Sequence, residues 1–306
     1  MGLIESLLVI FAIIFVGVAC EKRKLFDANQ IEGFEIFLFK ISIPCYLFSA
    51  TLNYDFSELL NAPYIFSYLL AFYVVALMVC AYFRKSTLSE KCIRSLSAGY
   101  INSAIYTLPI ITFLLGDPKA AILSNLLQVV VIQPFFISVL SVIHHKEKSM
   151  VRRLLTPLYT PLVIMPIIGL LCNHLQYTPF PVITTMVESL GKGVSSMALF
   201  TFGLSLGSIK LSRQTIDKKL IALVVAKNIL HPLVAFYIGS KILMLDDYWL
   251  SALVIASSAP TAFLVYLMAK QFSTDQHLIK MTVAISSMLS LVSLILIALM
   301  LGSGGI

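Results

Sequence analysis

Two short polar clusters, each containing a proline, lie inside long apolar segments of the chain. Their members are Asn102, Ser103, Thr107, Pro109, Ser257, Ser258, Pro260 and Thr261. The carboxamide of Asn102 offers both a hydrogen-bond donor and an acceptor, and the serine and threonine hydroxyls can contact a ligand or cap a helix. We treat these residues as the candidate substrate-binding residues, and no catalytic residue is expected among them.

The prolines indicate that each cluster interrupts a helix. Proline removes a backbone donor, clashes with the preceding turn and disfavours helical geometry in the residue before it. Pro109 and Pro260 lie about half the chain length apart, which indicates a pair of broken helices. If the second half-helices begin near Pro109 and Thr261, two helix N-termini face one point at mid-membrane. Such a point carries partial positive charge and favours a carboxylate over a cation.

The composition places both clusters in a membrane. The chain has 306 residues, of which 59% are hydrophobic and 12% are charged. A soluble domain carries about 25% charged residues, so a soluble enzyme is excluded. Apolar runs long enough to span a bilayer predict an all-α polytopic membrane protein with ten transmembrane helices. They lie near residues 3–20, 33–52, 62–83, 93–116, 120–143, 155–174, 182–207, 219–244, 248–270 and 277–301.

Basic residues predict the orientation of these spans. Most of the 22 Lys and Arg residues fall in the odd-numbered connections, which the positive-inside rule assigns to the cytoplasm. Both termini then lie on the non-cytoplasmic side, as an even number of spans requires. The residues concerned are Lys22, Arg23, Lys24, Arg84, Lys85, Lys91, Arg94, Lys146, Lys148, Arg152, Arg153, Lys210, Arg213, Lys218, Lys219, Lys270 and Lys280. They form no stripe with interleaved aromatic residues, so nucleic acid is not an expected partner.

The chain divides near Ser149 into two halves, residues 1–148 and 149–306, with five predicted spans each. Because five is odd, the second half enters the membrane from the opposite side, as in the inverted repeats of many secondary transporters. The predicted fold is therefore two inverted five-helix repeats with crossed broken helices 4 and 9.

Few ionisable residues lie within the predicted spans. Glu188 and Lys192, four residues apart in span seven, are interpreted either as a mutually neutralised pair or with Lys192 facing the substrate path. Lys227 either neutralises carbonyl groups of the broken helices or extends to the membrane surface. No Asp or Glu lies near the middle of spans three, four, five, eight, nine or ten, which favours an anion over a cation as substrate.

Other chemistries lack a motif in this sequence. No group of His, Cys, Asp and Glu has metal-ligand spacing, and no phosphate-binding loop is present. We therefore expect no metal, no cofactor and no ATP-driven pump. The five cysteines indicate no disulfide framework. His144 and His145 are interpreted as a solvated membrane-edge pair, with a proton sensor as the alternative.

Five motifs occur in order along the chain. They are Ile43-Pro44 through Leu47-Phe48, Asn102 followed by Pro109, Met197-Ala198-Leu199-Phe200 through Gly203-Leu204-Ser205-Leu206, Ser258-Ala259-Pro260 followed by Met268-Ala269-Lys270, and Ser286 with Ser287. In these motifs the chain resembles the auxin efflux carrier family of membrane transport proteins, which includes plant auxin exporters and bacterial permeases for malonate and malate. Ala256 and the short connection between the halves depart from the auxin exporters and favour the bacterial branch.

The resemblance implies an architecture that composition and spacing do not reveal. It implies a scaffold of spans 1, 2, 6 and 7, which also forms a homodimer. It implies a transport domain of spans 3–5 and 8–10 that moves past the scaffold by an elevator-type mechanism.

The predicted function is secondary active or facilitative transport of small organic anions, mono- or dicarboxylates such as malonate or malate, across a bacterial inner membrane. Within transporters, the alternatives are a sodium-coupled organic anion symporter of the bile-acid type and an auxin-like exporter of indole carboxylates. A non-transporting membrane receptor and a channel are the alternatives from other classes. The sequence leaves the substrate, the direction of transport and the coupling ion open.

Overall fold

The computed structural model describes residues 3–144, 159–208 and 217–302. Regular structure within these ranges is helical throughout, apart from one isolated antiparallel bridge between Ile101 and Thr261. The prediction of an all-α chain is confirmed for the described residues. The predicted boundary between residues 148 and 149 lies outside them, as do His145, Lys146, Lys148, Arg152, Arg153, Lys210 and Arg213.

Helix occurs in each of the ten predicted segments, and the helices are numbered accordingly. Their bounds are α1 Leu3–Lys22, α2 28–51, α3 Ala62–Tyr82, α4a Leu88–Gly99, α4b Ser103–Leu115, α5 Lys119–Ile143, α6 Pro161–His174, α7a Pro181–Gly191, α7b Val194–Gly207, α8 Lys218–Ile242, α9a Asp247–Ser258, α9b Phe263–Gln271 and α10 Gln276–Gly302. A single-turn helix, Phe56–Leu59, precedes α3.

Two helices begin several residues earlier than hydropathy predicts. Asp27 and Thr87 each form a capping box, in which the cap side chain accepts from the backbone and a Gln or Glu side chain accepts from the cap N–H. Each box satisfies backbone donors that would otherwise lack a partner at a helix start. The first turns of α2 and α4a are therefore polar and helical, which an apolar window does not detect.

Four helices in the described chain are long and apolar enough to cross a bilayer. They are Ala62–Tyr82, Lys119–Ile143, Lys218–Ile242 and the Gln276–Ile297 part of α10. Continuous helix satisfies every backbone group within its own segment, which is what a hydrocarbon environment requires. The chain is therefore a helical membrane protein, whereas the ten-span inverted repeat stays a prediction.

The chain forms two compact units. Unit 1 comprises Met1–Asn61, Ala104–Val130 and Leu155–Ser208, and unit 2 comprises Ala62–Ser103, Val131–Leu154 and Ile209–Ile306. In unit 1, α1 packs along α7b, and α6 and α7a pack on the second part of α2. In unit 2, α3 packs on α4a and α8, while α9a packs on α8 and α10.

Glycines set the close helix contacts of unit 1. A Cβ on Gly17 would strike the carbonyl oxygen of Phe200, and a Cβ on Gly203 would strike that of Ile14. The Cα atom of each glycine lies 3.0 Å from the Cβ position of the other. Small residues at such points let two membrane helices approach closely enough for backbone atoms to pack.

Several prolines lie inside continuous helices, because the turn before each of them is widened. Proline lacks the N–H of an ordinary helical residue, and its ring clashes with the carbonyl four residues earlier. A π-helical turn ends two residues before each of these prolines and moves that carbonyl away. The pairs are Leu38–Ser42 with Pro44, Ser103–Thr107 with Pro109, Gln128–Ile132 with Pro134, and Ala226–Leu230 with Pro232. The expectation that α4 resumes near Pro109 is therefore wrong: the helix resumes at Ser103.

Arg94 is not the loop residue that the charge pattern predicts. It lies inside α4a with 0% exposure. Its Nε atom lies 2.7 Å from Oδ2 of Asp275 and its Nη2 atom 3.0 Å from Oε1 of Glu90. The guanidinium also stacks over the Phe83 ring. The early start of α4a brings this cation into the fold, where two carboxylates compensate its charge.

Replacing Gly203 by leucine should destabilise unit 1. The new side chain would force the α1 and α7b backbones apart, and overpacking of this kind costs about 1–3 kcal/mol. Thermal unfolding of the purified protein in detergent should therefore show a lower Tm. Gly33→Leu is the matched control, because a Cβ at Gly33 meets nothing within 4 Å. Equal Tm values for the two variants would contradict this packing.

Candidate functional site

Helices α4 and α9 are both interrupted, and their interruptions cross inside unit 2. The two extended stretches, residues 100–102 and 259–262, are called the crossing segments. The N–H of Asn102 donates to the carbonyl of Pro260 at 2.9 Å, and the N–H of Ala262 donates to the carbonyl of Tyr100 at 3.1 Å. The two crossing segments thus run antiparallel. Each one forms hydrogen bonds with backbone groups that lack an intrahelical partner at the break in the other helix.

The two breaks have different local causes. In α9, Ala259 precedes Pro260 and has extended dihedrals, φ −60° and ψ 151°, as expected for a residue before proline. In α4, Tyr100 is extended, with φ −78° and ψ 116°, but no proline follows it within the break. Its hydroxyl donates to Oε1 of Gln133 at 3.1 Å. The break in α4 is therefore stabilised by tertiary pairing, whereas the sequence itself produces the break in α9.

Hydroxyl groups at the crossing donate their protons to backbone carbonyls. Oγ1 of Thr261 donates to the carbonyl of Ser97 at 2.6 Å, so it joins the crossing to the end of α4a. Ser257 and Ser258 donate to the carbonyl of Val254 at 3.0 and 2.8 Å. Of the two roles suggested for these hydroxyls, the described structure does not show capping of the second half-helix: the N-cap of α9b is Ala262, with no side-chain cap bond. Of these hydroxyls, Thr261 links the two interrupted helices, whereas Ser257 and Ser258 bond within α9a.

The predicted substrate residues do not all lie together. Asn102, Ser103, Ser257, Ser258, Pro260 and Thr261 belong to unit 2 and lie in the crossing segments or directly beside them. Asn102 is partly exposed and the others are buried. Thr107 and Pro109 are buried in unit 1, a turn or more along α4b from the break. Ser286, on α10, accepts the N–H of Thr261 at 3.1 Å and joins the group.

Lys227 lies against the end of α9a. Its side chain has 0% exposure, so it does not extend to the membrane surface. Nζ donates to the carbonyl of Ser257 at 3.0 Å and lies 3.1 Å from Nδ1 of His231. Because the C-terminal carbonyls of a helix carry partial negative charge, they accept well from an N–H donor such as Nζ. Of the two interpretations of Lys227, the geometry supports contact with a broken helix.

Glu188 and Lys192 do not form the predicted pair. Glu188 lies in α7a, which ends at Gly191, and Lys192 lies in the short interruption before α7b. Both side chains are exposed, and no ion pair joins these two described residues. The interruption removes the regular helical spacing on which the predicted contact depends.

Carboxylates are absent from the crossing. Within the described part of unit 2, the Asp and Glu residues lie at or before the starts of helices, at Glu90, Asp217, Asp246, Asp247 and Asp275. No group of three or more His, Cys, Asp and Glu among the described residues could hold a metal ion. The crossing therefore combines a helix N-terminus, polar side chains and a buried lysine.

Sequence reasoning missed Ser97, Tyr100 and Gln133. Ser97 contributes a main-chain carbonyl, for which its side-chain type gives no signal. Gln133 is a polar residue next to Pro134 in an apolar span, which is a detectable signal for an internal hydrogen bond.

The fold is that of a helical membrane protein, and the crossing is a polar site within it. Comparison with known proteins shows the class of protein to which the chain belongs. The family model described as "Membrane transport protein" matches residues 3–150 and 141–298. A Rhizobium meliloti protein named "Putative malonate transporter" is 21% identical over 308 residues, which cover 97% of this chain and 95% of the relative. The chain is therefore a membrane transport protein. It belongs to the auxin efflux carrier family.

Thr261→Val should destabilise the crossing. The substitution keeps the side-chain shape but leaves the buried Ser97 carbonyl without its donor, which costs about 1–3 kcal/mol. The Tm in detergent should fall, and Thr261→Ser should restore much of it. Ser258→Ala is the matched control, because its hydroxyl bonds only within its own helix. A wild-type Tm for Thr261→Val would show that this bond does not stabilise the crossing.

Proposed function

We propose that the protein is a secondary transporter that binds a small organic anion at the crossing in unit 2. The substrate class is mono- or dicarboxylates, of which malonate and malate are the first to test. Membership of a transport family supports the transport function, and the printed name of the Rhizobium meliloti relative supports malonate. The protein is proposed to transport its substrate without catalysing a reaction.

The observation that carries this proposal is the charge balance at the crossing. Lys227 is buried against the end of α9a, and both of its side-chain contacts are with neutral groups. An uncompensated charge away from water is costly, so an anion nearby lowers the free energy of the site. A cation carrier would be expected to place carboxylates in these spans. The proposed anion therefore supplies the negative charge that the protein does not.

Two groups are proposed to contact the anion directly. The carboxamide of Asn102 lies in a crossing segment and is partly exposed. The first N–H groups of α9b follow Ala262, whose side chain makes no cap bond, and the positive end of that helix favours an anion. Ser257, Ser258, Pro260 and Thr261 then shape and hold the site. Thr107 and Pro109 are less direct candidates, because they lie further along α4b.

Further parts of the proposal concern mechanism and membrane placement. We propose elevator-type alternating access, a homodimer and both termini on the non-cytoplasmic side of a bacterial inner membrane. The resemblance of the motifs to the auxin efflux carrier family implies the first two, and the alternation of basic residues between connections supports the orientation. Lys192 is exposed in unit 1 and has no assigned role in binding.

Counterflow in proteoliposomes tests this function. Vesicles containing the purified protein and unlabelled malonate should accumulate labelled malonate transiently, and the rate should saturate with concentration. A channel gives no saturable counterflow. Unchanged uptake when choline replaces sodium would exclude a sodium-coupled symporter of the bile-acid type. Stronger inhibition by an indole carboxylate than by malate would favour an auxin-like exporter.

Asn102→Ala should weaken transport more than it weakens folding. Loss of one hydrogen bond to a charged group costs about 1.5–3 kcal/mol, which corresponds to an increase of about tenfold or more in the malonate concentration for half-maximal counterflow. Expression should stay near the wild-type value, and the loss of transport should exceed what any change in Tm explains. Asn29→Ala, at an exposed position in α2, is the control. Wild-type counterflow by Asn102→Ala would remove Asn102 from the proposed site.

A further inference from the structure

Two buried basic side chains meet in the middle of α8. Lys227 has 0% exposure and His231 has 2%, and Nζ of the first lies 3.1 Å from Nδ1 of the second. Lys227 lies in the widened turn Ala226–Leu230, and His231 follows it directly. Because Nζ also bonds the Ser257 carbonyl, the pair lies directly against the half-helix that leads into the crossing. A buried pair of basic groups without an acid is uncommon in a membrane core and indicates a function.

Among the described residues, no charged group on the neighbouring helices forms an ion pair with Lys227 or His231. Helices α3, α4a, α9a and α10 pack against residues 226–230. Their charged and near-neutral titrating groups are Glu90, Lys91, Arg94, Asp247, His277 and Lys280. Glu90 pairs with Arg94, and Asp247 is exposed in the first turn of α9a. Tyrosine and cysteine on these helices are neutral near pH 7. On α8 itself, Lys218, Lys219 and Lys241 are exposed at its two ends.

Hydrogen-bond capacity distinguishes two states of the pair. A neutral amine has two N–H donors and one lone pair, whereas an ammonium has three donors and none. With a neutral amine, Nδ1–H of His231 can donate to the lone pair of Nζ. With an ammonium, Nζ donates to an unprotonated Nδ1 and the imidazole proton lies on Nε2. The imidazole can thus complement either state through a change of tautomer, and the Ser257 carbonyl also accepts a hydrogen bond from the ring.

We infer that Lys227 and His231 form the proton-coupling site of the transporter. The inference rests on the proposed function. With no substrate bound, the Lys227 amine is neutral. When the organic anion binds at the crossing, one proton from the aqueous phase on that side adds to Nζ, and the ammonium balances one negative charge of the anion. Release of the anion on the other side returns the proton to water, so the anion and the proton move in the same direction.

Burial makes this coupling obligatory in both directions. Protonation without an anion would leave a charge in a water-poor interior, and anion binding without protonation would leave the anion without a full countercharge. Charges interact strongly over several ångströms in a medium of low dielectric constant, so the anion need not touch Nζ. His231 acts as a positioning residue that stabilises the amine in each state.

Proton uptake on binding gives a direct test. Calorimetric titration of the purified protein with malonate, in two buffers with different ionisation enthalpies, counts the protons taken up per anion. The wild type should take up more than Lys227→Arg, by about one proton, because an arginine remains charged whether or not the anion is bound. Lys227→Gln should bind malonate at least tenfold more weakly. His231→Gln should keep the proton count and shift its pH dependence. Lys241→Gln, at the exposed end of α8, should match the wild type.

Transport driven by a pH gradient supplies a second measurement, in case Lys227→Arg fails to fold. An inward proton gradient should accelerate malonate uptake by the wild type, and a protonophore should abolish the acceleration. Lys227→Gln, assayed at saturating malonate, should show no acceleration.

The outcomes separate this inference from the proposed function. Malonate counterflow with no proton uptake and no effect of the gradient would overturn the coupling site and leave the anion transporter intact. Equal proton uptake by the wild type and Lys227→Arg would assign the proton to another group and also overturn it. Failure of every short carboxylate to bind would overturn both proposals.

Discussion

The crossing depends on one constraint: a backbone group in hydrocarbon must find a partner inside the protein. Two interrupted helices each leave N–H and carbonyl groups unpaired, and the crossing segments pair several of them with each other. Thr261 donates a hydrogen bond to the Ser97 carbonyl at the end of α4a. Lys227 donates one to the Ser257 carbonyl at the end of α9a. The same contacts that permit the breaks therefore fix the position of the candidate site.

The side-chain hydroxyls near the crossing already have hydrogen-bond acceptors within the protein. Hydroxyl protons of Ser257, Ser258 and Thr261 go to main-chain carbonyls, so few side-chain donors are left for a ligand. Recognition is then expected to depend on the field of a helix end and a lysine more than on many directed hydrogen bonds. A field discriminates by charge and tolerates differences in the chain length of the proposed organic anion.

Hydropathy and prolines predicted the helical segments and the break at Pro260, because both depend on local chemistry. The break in α4 was misplaced by about two turns, since a widened turn lets Pro109 stay in a helix and tertiary pairing sets the break at Tyr100. Arg94 was assigned to a connection because the charge pattern does not show its ion-pair partners, Glu90 and Asp275. The Glu188 and Lys192 contact failed because spacing alone does not show where a helix is interrupted.

The widened turns before the prolines have a consequence for how the spans face their surroundings. Each such turn holds one more residue than an α-helical turn, as if one residue had been inserted. The helical register after Leu38–Ser42, Gln128–Ile132 or Ala226–Leu230 is therefore out of phase with the register before it. A face that contacts lipid in one half of a span does not continue as the same sequence stripe in the other half. Each of these spans consists of helical segments joined out of phase, and its residues divide between lipid and protein separately on either side of the joint.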